Sequence, residues 1–162
     1  MIRRKLSAEE LRELRAIAEY QFGVSGEVLI PGDVVAVVSP STNRIRVLER
    51  DGRKYLSIRA GDYRFNLHIS SAKILHAHLS PPYLRVYVKN EYSPFVMRGG
   101  NVFAKHVLLA DPRIRPGDEV LVVDENDALI ATGRAILAGH EIVYYKRGEA
   151  VRVREGVLKG GQ

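Results

Sequence analysis

The chain has 162 residues, of which 46% are hydrophobic, enough to give one or two domains with their own cores. No apolar run approaches the roughly 18 residues of a membrane helix, and there is no cysteine. That excludes disulfides, thiol nucleophiles and cysteine-ligated metals, and it points to a cytoplasmic protein without a membrane partner. Lys and Arg number 25 against 19 Asp and Glu, a net charge of +6, and 18 of the basic residues are arginine. The planar guanidinium suits phosphates and base edges, so nucleic acid is a natural partner. A codon bias toward arginine would give the same composition.

Met1 to Lys5 is basic but runs directly into a charged helix pattern, unlike a secretory leader. The first helix spans about Ser7 to Phe22. Ser7 and Glu10 have capping-box spacing, Leu6 and Leu11 fit a hydrophobic staple, and Gly23 is a natural stop. Leu11, Leu14, Ile17 and Ala18 form its apolar face, opposite a mixed-charge face of Arg12, Glu13, Arg15 and Glu19.

From residue 34 the period changes to two. Val34 to Val38 reads as a buried strand, and Arg44-Ile45-Arg46-Val47 alternates, with arginines on one face and aliphatics on the other. Asp51-Gly52 signals a hairpin, Leu56 and Ile58 continue the alternation, and Phe65, Leu67 and Ile69 define another strand. A short helix from Ser71 to Leu79 is stopped by Pro81-Pro82. Residues 1–80 therefore form a small α+β unit, a strand meander flanked by helices. The Ser80 to Tyr83 connection is short and proline-stiffened, so the two parts of the chain are expected to dock.

After the prolines, Leu84, Val86 and Val88 alternate with Arg85, Tyr87 and Lys89. Gly99-Gly100 reads as a turn opening a short helix at Asn101. Arg115-Pro116-Gly117-Asp118 precedes a strand over Glu119 to Val123, and Glu125-Asn126-Asp127 turns into a strand over Leu129 to Ala135. Strands near Glu141 to Tyr145 and Ala150 to Arg154 complete a small closed β-barrel over residues 83–157, leaving a tail at 158–162.

The stretch from Tyr83 to Gly156 resembles the PUA domain. The resemblance is carried by Gly99 to Lys105, Arg115 to Asp124, Ala131 to Ala135 and Gly148 to Gly156. Upstream, Val38 to Arg46 and the helix before Pro81-Pro82 resemble the domain that precedes PUA in archaeosine tRNA-guanine transglycosylase. The resemblance implies tRNA binding without catalysis. The catalytic (β/α)₈ barrel of that family, with its aspartate nucleophile and cysteine-rich zinc site, does not fit in 162 cysteine-free residues. It also implies an RNA site at Arg98, Gly99, Gly100, Asn101, Val102 and Lys105, reading helical RNA near the acceptor end by shape and backbone.

The residues themselves make sense of that site. Glycines allow close backbone approach, and a helix start at Asn101 would offer free N–H groups to phosphate, with Lys105 one turn in. Arg44, Arg46 and Arg152 extend the candidate RNA surface. The window 44–64 carries a net charge of +4, which equally suits an RNA-binding sheet face or an ordinary solvated one. Phe103 is expected to pack the barrel, and Tyr83, Tyr87, Tyr92, Tyr144 and Tyr145 its rim. His68, His76, His78, His106 and His140 lack ligand spacing, so neither a metal nor a cofactor is expected.

The reading is a non-catalytic RNA-binding protein. It would act on tRNA as an adaptor or as the RNA-gripping subunit of a transglycosylase catalytic partner. A PUA-containing translation factor at the ribosome and a small RNA-modifying enzyme remain alternatives.

Overall fold

A computed structural model describes residues 1–160. The chain divides into two compact units, Met1–His78 and Leu79–Gln162.

The first unit runs β1 (Ile2–Lys5), α1 (Ala8–Phe22), α2 (Gly26–Leu29), β2 (Val35–Val38), β3 (Ile45–Arg50), β4 (Arg53–Ile58), β5 (Phe65–Leu67) and α3 (Ile69–His78). The five strands form an antiparallel sheet in chain order. Helix α1 begins as its sequence requires. Ser7 Oγ accepts from the Glu10 N–H at 3.1 Å, and Glu10 Oε1 accepts from the Ser7 N–H at 2.9 Å. Gly23 ends it in the left-handed region at φ 71°. Leu14, Ala18 and Phe22 are buried, together with Ala36, Leu48, Leu56, Phe65 and Leu67 of the sheet. Asp51 and Gly52 both have positive φ, 53° and 75°, the geometry of a two-residue hairpin turn.

Three local readings of this unit need correction. Ile2–Lys5 is an edge strand, paired with β2 from Ile2↔Val38 to Lys5↔Val35. Three consecutive cations hide it in the sequence, because its ladder partner β2 lies more than thirty positions on, and so does Glu49, which pairs with Arg3. Ile69 starts α3 rather than ending a strand, and α2 carries no periodic signal at four residues. Arg44 and Arg46 are both exposed, and a register shift between Val37 and Val38 marks a bulge at Arg46, which interrupts strict alternation toward the buried Leu48.

The second unit runs β6 (Arg85–Val88), α4 (Ser93–Met97), β7 (Val102–Phe103), a 3₁₀ turn (Ala104–His106), β8 (Val107–Ala110), β9 (Glu119–Val123), β10 (Leu129–Ala135), α5 (Gly139–Tyr145), β11 (Glu149–Gly156) and α6 (Val157–Gly160). The sheet order is β7-β11-β10-β9-β6-β8, with β6 and β9 parallel and the other pairs antiparallel. It curls into a nearly closed barrel around Val86, Val88, Val102, Val120, Val122 and Val151.

Residues 141–145 are helical, although Ile-Val-Tyr-Tyr is β-rich in propensity. The Glu141 carboxylate accepts the Ala138 N–H at 3.0 Å and caps the helix start, while buried Ile142 joins the barrel core. Arg85 alternates with Val86 as expected but is buried, donating from Nε to Asp127 Oδ1 at 2.7 Å. The expected tail begins as α6, and residues 161–162 lie outside those described.

The Arg4 guanidinium grips both Glu10 oxygens at 2.7 Å, and together with the Ser7 N–H it holds the Glu10 carboxyl down at about 2, from 4.5. A depressed carboxyl stabilises the fold above its unfolded value, and that contribution is lost as pH falls through the folded one. The pair is partly exposed, so the contribution is roughly 0.5–1 kcal/mol. Denaturant unfolding of the chain should lose that amount between about pH 4.5 and 2, and Glu10→Gln should remove that part of the slope.

Candidate RNA interface

The glycine turn lies between α4 and β7. Gly99, at φ 102°, donates to Val96 O at 2.9 Å, and Gly100 donates to Phe95 O at 3.0 Å. These bonds close α4 rather than opening a helix. Asn101 instead leads into β7 and a single 3₁₀ turn, so no helix N-terminus is presented at Asn101. Two β-branched and aromatic residues, Val102-Phe103, favour the extended state there.

Each expected site residue therefore has a definite place. Arg98 follows α4 and is exposed, with no ion-pair partner among the described residues. Lys105 is exposed on the 3₁₀ turn and is likewise unpaired. Gly100 lies beneath the Phe95 ring, which a Cβ would strike. Asn101 is occupied: its side-chain Oδ1 accepts the Val153 N–H at 2.9 Å, and its backbone carbonyl accepts the Tyr92 hydroxyl at 3.1 Å. The Val102 side chain is fully buried in the barrel and offers RNA no surface. Arg152 is exposed on β11 and pairs with Glu149 at 3.0 Å. Arg44 and Arg46 belong to the first unit and are exposed there.

Aromatic side chains correct another expectation. Phe103 is 39% exposed and faces solvent, while its neighbour Val102 fills the core. Tyr144 and Tyr145 are exposed on α5 and pack edge-on against each other, 5.0 Å between centroids, rather than against the rim. Tyr92 stacks on His106 at 3.7 Å and leans on the exposed Phe95 at 5.2 Å. His106 reports the local field. Burial, then the Lys105 and Lys89 charges, push its imidazole below the usual value. The sequence places Lys89 only in a strand alternation, weighs His106 only as a metal ligand and gives Phe95 no role, because their convergence on one turn is visible only in three dimensions.

Residues 84–157 match the PUA domain, and residues 12–82 match the patch-forming domain C2 of tRNA-guanine transglycosylase. The two matches follow one another along the chain. tRNA-guanine(15) transglycosylase from Pyrococcus abyssi is 44% identical over 150 residues, covering 93% of this chain and 25% of that protein. The Pyrococcus furiosus enzyme is 46% identical over 145 residues, covering 89% and 24%. The chain thus spans about a quarter of the length of these curated relatives. Among solved structures, a protein from Pyrococcus horikoshii superposes with a TM-score of 0.72 at 22% identity, over 96% of this chain and 94% of that one. A conserved PUA domain protein from Thermoplasma acidophilum gives 0.65 at 22%, over 96% and 93%. These two neighbours establish the fold.

The support under the turn is less tolerant than the turn itself. A Cβ at Gly156 would collide with the Met97 carbonyl of α4, which is backbone, whereas at Gly100 it meets a ring that is half exposed. Gly156→Ala should therefore cost roughly 2–3 kcal/mol, and Gly100→Ala under about 1 kcal/mol, in denaturant unfolding. Asn101→Ala leaves the Val153 N–H without its acceptor and should cost about 1–2 kcal/mol in the same measurement.

Proposed function

We propose that the chain is a non-catalytic RNA-binding protein that grips tRNA, with base exchange carried out by a transglycosylase catalytic unit. The carrying observation is the match of residues 12–82 to the C2 domain and of 84–157 to PUA, in that order, in a chain 44–46% identical to tRNA-guanine transglycosylases. The geometry supports the reading. The glycine turn presents Arg98 and Lys105, both exposed and with no ion-pair partner among the described residues, and Lys105 and Lys89 add to the burial that lowers His106 beside them. Exposed cations without carboxylate partners are the residues free to replace counterions on a phosphate backbone. The occupied Asn101 amide and the buried Val102 leave recognition at this turn to cations and backbone, the mode suited to helical RNA.

Binding of the chain to tRNA should weaken steeply as salt is raised, and the isolated chain should exchange no guanine into tRNA. A flat salt response would remove the electrostatic basis of the reading, and guanine exchange would remove its non-catalytic part. Lys105→Glu replaces one attraction with a repulsion and should weaken tRNA binding roughly 5- to 100-fold, with the melting temperature nearly unchanged. A matched charge reversal elsewhere needs a cation without a structural partner, which rules out Arg113, paired with the buried Asp111 at 3.0 Å and lying over the Tyr83 ring. Lys73→Glu reverses an exposed, unpaired lysine on α3 and serves instead.

A further inference from the structure

In the first unit, α1 and the sheet do not close fully on each other. An open groove of about 450 Å³ lies between the N-terminal half of α1 and the ends of β3 and β4. Leu14, Ile17, Ile45 and Ile58 give it an aliphatic lining, and Tyr63 stands in its wall. Five charged residues also line it, and two of these are already engaged. Glu10 is held by Arg4 and the α1 cap, and Arg59 by Asn66 at 2.7 Å and Asp62 at 3.5 Å. Arg44, Arg46 and Glu13 are left with no ion-pair partner among the described residues.

The turn that carries Tyr63 adds an independent observation. The turns Ser39–Arg44 and Arg59–Arg64 share one geometry. In each, the first N–H donates to the sixth carbonyl, at 2.9 and 2.8 Å, and the fifth N–H donates to the first carbonyl, at 2.8 and 3.1 Å. The fifth residue is left-handed in both, Asn43 at φ 57° and Tyr63 at φ 60°. Asparagine adopts that conformation readily, whereas a bulky aromatic does so at a cost. Tyr63 is 51% exposed, and the Arg44 guanidinium lies 5.7 Å from its ring centroid. A strained position that holds a large exposed ring beside a free cation is a mark of function rather than of packing.

The geometry points to a pocket for one unpaired nucleotide of RNA in this groove. The base lies against Tyr63 and the isoleucines, its phosphate meets Arg44 and Arg46, and Glu13 accepts an N–H from the base edge. This rests on the RNA-binding reading above and adds a second mode to it, because a base still stacked in a duplex has no free face to offer. An apolar peptide would fill the lining but leave both arginines unmatched.

The test is equilibrium binding of the chain to a short unstructured single-stranded RNA and, separately, to tRNA. Tyr63→Gly removes the ring and places glycine where the backbone favours it, so the turn keeps its shape. It should weaken single-stranded RNA binding about tenfold, while Tyr63→Phe keeps the affinity. Arg44→Glu/Arg46→Glu should weaken it more than Arg53→Glu/Lys54→Glu on the β3–β4 hairpin. If wild type binds tRNA but not the single strand, or if Tyr63→Gly and the double arginine variant bind the single strand like wild type, the pocket is overturned and the RNA-binding reading stands. Binding to neither RNA overturns both. Single-strand binding that depends on Tyr63, without tRNA binding, supports the pocket and overturns the tRNA assignment.

Discussion

One side-chain amide holds the candidate interface in place. Strand β7 is only two residues long, and its ladder with β11 ends at Val102↔Val151. Beyond that pair the backbone of β7 turns back toward α4, and the Val153 N–H would face no carbonyl. Asn101 Oδ1 takes the missing place at 2.9 Å, while the Asn101 carbonyl accepts from Tyr92, whose ring stacks on His106. A single residue thus ties the glycine turn, α4 and the 3₁₀ turn to β11. A partly buried donor left without its acceptor loses part of its solvation for nothing, so this bond helps pin the turn to the barrel.

That pinning explains the division of labour around the turn. Residues that fix geometry, Asn101, Val102, Gly100 and Gly156, are packed or hydrogen-bonded, and Arg98 and Lys105 project from the short segments they fix. A polar loop on a rigid barrel gives cations a defined spacing at small entropic cost. The second buried polar centre plays the same part at another end of the barrel. Asp111, fully buried, accepts the Leu84 N–H at 2.8 Å and the Arg113 N–H at 3.0 Å, and the N–H of Asp111 itself donates to Arg85 O. The start of β6 and the end of β8 are joined through one carboxylate, and against its burial the Arg113 and Leu84 N–H groups, with the Arg113 guanidinium, hold that carboxyl below its usual range.

How much of this is legible in the sequence follows from how local each determinant is. The α1 cap, the Asp51-Gly52 turn and the β9 and β10 strands depend on residues within a few positions of each other, and each forms as its sequence implies. Strand β1 depends on its ladder with β2, more than thirty positions away, and its cations conceal it. Segment 141–145 looks like a strand residue by residue, and packing of Ile142 against the barrel core overrides its propensity. The order of glycine turn, turn before β9 and β11 motif carries the family resemblance and survives in the fold. What those glycines do does not: whether a Gly-Gly pair opens one helix or closes another depends on the partners of the next residue, and Asn101 finds its partner fifty-two positions on.

Charge follows the same logic. Eighteen arginines suggest a basic surface, but Arg3, Arg4, Arg50, Arg59, Arg85, Arg113 and Arg154 are each held by a carboxylate of the fold. A bidentate pair such as Arg154 on both oxygens of buried Glu119 contributes rigidity and almost no field beyond a few ångströms. The potential that a phosphate backbone would feel therefore comes from the smaller set without such partners, which includes Arg44 and Arg46 in one unit and Arg98 and Lys105 in the other. Net charge sets the class of partner, and the pairing pattern sets where on each unit that partner is met. An arginine-rich composition bears on RNA binding only after its structural arginines have been set aside, and among the cations that remain, two groups sit on differently shaped surfaces: a turn on a barrel, which suits a helical backbone, and a groove with an aromatic wall, which suits a base out of its stack.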